Sequence, residues 1–166
     1  MNDPVANLFH EYHASLVRML TRRTGDGDRA EEIAQEVFAR AVVAPPRNPR
    51  PWLFAVALNL VREEGRRAVT HSRRLVLYQA EQTQSFESPA DTLDRSDRAA
   101  AVRTALDTLS ERDRNALLLK AEGFSYDDIA TTLGLARSAI GTTLSRARQR
   151  LVEAYRTGEG RHDAAS

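Results

Sequence analysis

Apolar residues return at three- and four-residue steps along most of this chain, the spacing of a single buried helix face. Val5, Leu8, Phe9, Tyr12, Leu16, Met19 and Leu20 follow an Asp3-Pro4 start, in which aspartate caps and proline takes the first helical position. Gly25 and Gly27 are expected to end that helix. Asp28 with Glu31 reads as a capping box for the next one, whose stripe is Ala30, Ile33, Val37, Phe38 and Ala41. Glu32, Gln35, Glu36 and Arg40 are left toward solvent. Pro45, Pro46, Pro49 and Pro51 crowd into one stretch, so residues 44–50 should form an irregular loop and Pro51 should open a third helix. That helix is apolar nearly all round from Trp52 to Leu58 and strongly polar from Arg62 to Arg67. Its first half should be buried and its second half exposed.

The period weakens after Val69, and Ala80 to Pro89 is polar without any repeat. A helix continuing through Leu75, Val76, Leu77 and Tyr78 fits the residues before it. The second half then repeats a start signal, a serine three residues ahead of an acid: Ser88 with Asp91, Ser110 with Asp113, Ser125 with Asp128. Gly123 and Gly134 stand where two helices should stop. The expected helices of this half are 89–108, 110–121, 125–133 and 136–155. With no strand pattern anywhere, the expected fold class is all-α. Two small helical domains, 3–70 and 89–155, would be joined by a flexible linker at 71–88 and followed by a disordered tail at 156–166.

Composition narrows the function. Among 166 residues there is no cysteine, which removes disulfides, thiolate nucleophiles and cysteine-based zinc sites. The longest apolar run, Trp52 to Leu58, is far too short to cross a bilayer, and Met1-Asn2-Asp3-Pro4 is acidic where a secretory signal would be basic. A cytoplasmic protein without membrane insertion is expected. The net charge of +1 hides a segregation along the chain. Asp26, Asp28, Glu31, Glu32 and Glu36 outweigh Arg29. Arg47, Arg50, Arg62, Arg66 and Arg67 outweigh Glu63 and Glu64, and Arg137, Arg146, Arg148, Arg150 and Arg156 outweigh Glu153. One acidic and two basic stretches suggest two kinds of partner, one basic and one polyanionic.

The most specific local signal is Ser125 to Leu151. A short helix with Ile129, Ala130 and Leu133, a turn at Gly134-Leu135, and a longer helix with Ile140, Leu144, Ala147 and Leu151 on one stripe have the spacing of a helix-turn-helix. The other face of the longer helix carries Arg137, Ser138, Gly141, Thr142, Ser145, Arg146, Arg148 and Gln149, a set suited to base edges and phosphates in a major groove. An ordinary helical hairpin with a solvated basic face has the same spacing. Enzymatic readings fare poorly. His10 and His13 lack a third metal ligand, the pairs Glu31-Glu32 and Glu63-Glu64 point to different helix faces, and no glycine-rich phosphate loop is present. No catalytic residue, metal or cofactor is expected.

These residues resemble the extracytoplasmic-function group of the bacterial sigma-70 family of RNA polymerase sigma factors, over about Leu8 to Tyr155. Leu109-Ser110-Glu111-Arg112, Gly123-Phe124-Ser125-Tyr126-Asp127-Asp128-Ile129-Ala130 and Leu133-Gly134-Leu135 resemble the fourth sigma region. Asp28 and Glu31 through Phe38 resemble the part of region two that docks on polymerase. Pro51-Trp52-Leu53-Phe54, Asn59 and Arg66-Arg67 resemble the helix that handles the −10 element. The resemblance implies core RNA polymerase and promoter DNA as partners and, for much of the family, an anti-sigma factor.

By that resemblance, Asp28, Glu31, Glu32, Gln35 and Glu36 would bind core polymerase. Arg137, Ser138, Thr142, Ser145, Arg146 and Arg148 would read the −35 element. Arg47, Asn48, Arg50, Trp52, Asn59, Arg62 and Arg66 would hold the −10 strand, with Trp52 and Phe54 available for stacking on unpaired bases; Trp52 reads equally well as a core residue. The chain also departs from the family. Gly141, Thr142 and Thr143 replace a frequent basic-serine-basic run, Leu58 a frequent arginine, Glu63 a usual aspartate and Gly65 a usual leucine, and the loop 44–50 is short. A free-standing helix-turn-helix regulator and a helical adaptor for an acidic protein are the rival readings.

Overall fold

The computed structural model describes residues 3–75 and 90–164, and every regular element among them is a helix. In chain order these are α1 (Pro4–Thr24), α2 (Gly27–Val43), α3 (Pro49–Leu75), α4 (Ala90–Asp107), α5 (Glu111–Ala121), α6 (Tyr126–Leu133) and α7 (Arg137–Ala164).

Capping chemistry sets most of the boundaries. The Asp3 carboxylate accepts from the Val5 N–H at 3.0 Å, and Pro4 needs no acceptor in the first turn. Gly25 ends α1 in the left-handed region at φ 73°, which a side chain would disfavour, and its N–H reaches the Thr21 carbonyl at 2.8 Å. Helix α2 begins earlier than its sequence suggests. Gly27 lies inside it, and the cap is Asp26, which accepts from Asp28 N–H at 3.0 Å and Arg29 N–H at 3.2 Å. Glu31 is thereby freed to pair with His13 of α1 at 2.9 Å. Helix α3 likewise starts at Pro49 and not Pro51, since both prolines fit a first turn whose N–H groups have no helical acceptor. It runs without a break to Leu75, into the segment expected to be linker. Residues 76–89, including Val76 to Tyr78 and the Ser88 cap, lie outside the described residues.

Ser110 and Ser125 cap α5 and α6 through Asp113 and Asp128 N–H groups at 3.2 and 3.1 Å, as their spacing implies. Gly134 closes α6 at φ 66°. Helix α7 continues past Tyr155 to Ala164, where a disordered tail was expected. The Tyr155 hydroxyl bonds Glu159 one turn on, which raises the tyrosine pKa, and the Thr157 hydroxyl donates to the Glu153 carbonyl at 2.8 Å. The Tyr155–Glu159 pair, worth about 0.2–0.5 kcal/mol, offsets only part of the cost of about 1 kcal/mol for a helical glycine such as Gly158 or Gly160.

Both halves contribute to one apolar cluster. Leu16, Met19 and Leu20 of α1, Ile33 and Val37 of α2, and Leu53 and Phe54 of α3 join Leu119, Phe124, Ile129, Ile140 and Leu144 of the C-terminal half. Burying a side chain of this size stabilises by about 1.5–3 kcal/mol. Helix α3 divides as expected: Leu53, Phe54, Ala57 and Leu58 are buried, whereas Arg62, Glu63, Arg66 and Arg67 are exposed.

Candidate nucleic-acid and polymerase interface

Helices α6 and α7 flank the Gly134 turn and pack as a helix-turn-helix. Ile140, Leu144 and Ala147 are fully buried and orient α7, with Thr143 beside them at the same depth. This leaves Arg137, Ser138, Thr142, Ser145 and Arg148 exposed. Arg137 Nε lies 2.6 Å from Asp127 Oδ1 in a pair open to water, of the kind that contributes little to stability. The ring of Tyr126 covers the helix at Gly141, where an added Cβ would sit 3.6 Å from Cε2. Gly141 is covered by that ring and Thr143 is turned inward, so neither projects a side chain from this face.

Arg146 is placed differently from its expected companions. Its Nη2 donates to Asp113 Oδ1 at 2.9 Å, and Arg150 Nη1 reaches Oδ2 of the same carboxylate at 3.4 Å. Asp113 is fully buried on α5. The hydrogen bond from Arg146 holds the Asp113 carboxyl below its ordinary pKa, against the opposing pull of burial. Arg146 therefore braces α7 against α5 and does not stand on the outward face with Arg148. A helical wheel cannot show this, because Asp113 lies 33 residues away in sequence.

In the N-terminal half, Arg47 and Asn48 are exposed on the loop, whereas Trp52 is partly buried and packs against the core. The Asn59 side-chain oxygen accepts from Arg62 Nη2 at 3.3 Å. Asn59 and Arg62, with Ala55 and Leu58, form one wall of a cleft of about 520 Å³; Arg112 and Asn115 of α5 and Leu133 and Leu135 at the helix-turn-helix turn line its other side. Arg66 is exposed farther along α3. Arg50 is directed into the C-terminal half, where it donates to the Glu122 carbonyl at 2.9 Å and stacks 4.1 Å above the Phe124 ring. Sequence reasoning missed Glu122 and Phe124 as tertiary anchors.

On α2, Asp28, Glu32, Gln35 and Glu36 are exposed and Glu31 is half-buried. Glu32 pairs with Arg29, Glu36 with Arg40 at 3.1 Å, and Arg29 also bridges to Glu64 of α3. The acidic face is thus partly compensated by its own helix. Among the described residues no group of three or more His, Cys, Asp or Glu side chains could hold a metal ion, and no helix is long and apolar enough to cross a membrane.

An N-terminal helical unit with an acidic helix, followed by a helix-turn-helix, has the architecture of a bacterial transcription initiation factor. Residues 8–70 match the family model for Sigma-70 region 2, and residues 99–151 the model for Sigma-70, region 4. The chain is 34% identical over 140 residues to the ECF RNA polymerase sigma factor EcfG of Rhodopseudomonas palustris, covering 77% of this chain and 72% of that one. It is 29% identical to RNA polymerase sigma factor YlaC of Bacillus subtilis, with 90% of each chain covered. It is 32% identical to ECF sigma factor SigL of Mycobacterium tuberculosis, with 82% of this chain and 80% of that one covered. A solved structure of the sigma factor RpoE in complex with the anti-sigma factor NepR from Bartonella quintana is similar at a TM-score of 0.61 and 26% identity, covering 90% of this chain and 97% of that one. The chain belongs to the extracytoplasmic-function group of RNA polymerase sigma factors. The free-standing regulator and the adaptor are set aside accordingly.

Proposed function

We propose a division of labour among the surfaces of this sigma factor. The outward face of α7, with Arg137, Ser138, Thr142, Ser145 and Arg148, reads the −35 element. The loop after α2 and the face of α3, with Arg47, Asn48, Arg50, Asn59, Arg62 and Arg66, hold the unpaired −10 strand. The exposed acids of α2 dock on core polymerase, where charge complementarity favours rapid and selective assembly. Catalysis belongs to the polymerase, and the factor works in the cytoplasm beside it. Control by an anti-sigma factor fits this reading too, since the similar RpoE is seen with NepR.

The observation that carries this reading is the exposure of small hydrogen-bonding residues and arginines together on one face of the second helix of the helix-turn-helix. Run-off transcription with purified core enzyme, on a library of genomic fragments, tests it. Specific transcripts should depend on the factor and fall when Ser138 and Thr142 are replaced by alanine. Factor-independent transcripts, or an unaltered pattern with the double variant, would overturn the assignment.

A further inference from the structure

The cleft that Asn59 and Arg62 share with the helix-turn-helix half joins two kinds of surface. Leu58 of α3, with Leu133 and Leu135 at the α6–α7 turn, is apolar and withdrawn from water in whole or in part. Asn59, Arg62 and Arg112 stand exposed around these leucines. A volume of about 520 Å³ falls within the roughly 300–1,000 Å³ of small-molecule sites, which combine apolar lining with a few placed polar groups.

The polar groups of this lining have unused capacity. Asn115 of α5 is only 6% exposed, and its side-chain oxygen has no hydrogen-bond partner. A buried acceptor in that state has lost its water without replacement, so a donor reaching it is favoured. Arg62 gives one N–H to Asn59, and among the described residues neither Arg62 nor Arg112 is ion-paired with a carboxylate. Arg18 and Arg22 are occupied by Glu122, and Arg146 and Arg150 by Asp113. Glu111 is the carboxylate in the lining, so the two guanidiniums outnumber it and the cleft favours an anion.

We propose that this cleft binds a purine nucleotide that carries an amino group on its base and two or three phosphates. The base lies against Leu58, Leu133 and Leu135, its exocyclic amine donates to the Asn115 oxygen, and its phosphates meet Arg62 and Arg112. The planar fork of a guanidinium suits phosphate oxygens taken two at a time. A base without the amine leaves Asn115 unpaired, and inorganic polyphosphate leaves the leucines wet.

Isothermal titration calorimetry on the full-length chain tests the site with four probes: ATP, GTP, purine riboside triphosphate, which has no amine, and inorganic tripolyphosphate. ATP or GTP should bind saturably, and roughly threefold to tenfold more tightly than purine riboside triphosphate, the effect of one hydrogen bond. Tripolyphosphate should bind more weakly still. Arg112→Ala, at an exposed position, should weaken the binding of the preferred nucleotide roughly tenfold or more, as expected for a charged hydrogen bond. Asn115→Ala should bind the amino and amine-free nucleotides alike, a loss of discrimination that misfolding would not give. Absence of saturable ATP and GTP binding, tripolyphosphate binding as tight as either nucleotide, or unaltered affinity in Arg112→Ala would each overturn the site. Discrimination that survives in Asn115→Ala would overturn the place given to the base.

Discussion

Asp113 and Glu122 are both carboxylates withdrawn from water and held by two arginines, but they join different things. Asp113 ties α5 to α7 inside the helix-turn-helix half, through Arg146 and Arg150. Glu122 ties that half to α1 through Arg18 and Arg22. The first link has to survive in every state in which the recognition helix is presented. The second sets the helix-turn-helix half against the N-terminal helices, beside Arg50. Similar chemistry thus braces one half internally in one place and joins the two halves in the other, and connectivity distinguishes them.

Breaking each link in turn should separate the two roles. Asp113→Ala should destabilise the C-terminal half by about 1–3 kcal/mol, the cost of losing a buried hydrogen-bonded carboxylate, softened because both arginines keep contact with water. Glu122→Ala should leave the unfolding of each half nearly unaltered and act on their association. Urea unfolding followed by circular dichroism, with the halves probed separately by fluorescent labels, measures both; equal losses would erase the distinction.

A smaller effect is expected when α7 is compared with itself. Arg146→Ala should lower the thermal midpoint and leave the salt dependence of promoter binding intact. Arg148→Ala should preserve the midpoint and reduce the log–log salt slope by about 0.9 if it meets one phosphate. The reverse result would return Arg146 to the DNA-contacting set.

Acid should loosen the brace selectively. The folded-state pKa of Asp113 is depressed below 3.8, so its contribution is fully present above about pH 4 and is lost as the pH falls through the lower folded value. Stability of wild type measured between pH 2.5 and 6 should therefore drop more steeply at the acid end than that of Asp113→Asn. Parallel curves would show that Asp113 does not titrate as the brace requires.

The smallest effect sharpens the same contrast from the stabilising side. At Gly141 a methyl group would meet Tyr126 at an ordinary van der Waals distance of 3.6 Å. Gly141→Ala should stabilise the helix-turn-helix half by about 0.5–1 kcal/mol, through helix propensity, without altering the contacts between the halves. A lowered thermal midpoint would show that Tyr126 cannot accommodate the methyl group.

Helix positions were largely legible because their signals are local. Asp3-Pro4, Ser110, Ser125 and Gly134 act within four residues of themselves, and each stands where the structure uses it. The errors have local causes too: Asp26 and Asp28 both suit a cap, and two prolines both suit the start of α3. The helix-turn-helix and the acidic helix were visible as face patterns. The roles of Arg146 and Arg50 were not, because a wheel gives direction relative to one helix only. Their partners lie 33 and 72 residues away, and only packing brings them together. The continuation of α7 was hidden by Gly158 and Gly160, whose composition signals an end although the helix runs through both.

Helix α3 also has a mechanical meaning. It is clamped at its apolar end, by Leu53, Phe54 and Ala57, and runs on to Leu75 as a single rod. At about 1.5 Å per residue, the tip stands roughly 30 Å beyond Phe54. A rod fixed at one end amplifies rotation: a tilt of about 10° at the clamp sweeps the tip through roughly 5 Å over that length. Because Phe124 rests directly on Phe54, a small repacking of that contact would act at the fulcrum and redirect the point from which the chain sets out toward its second half.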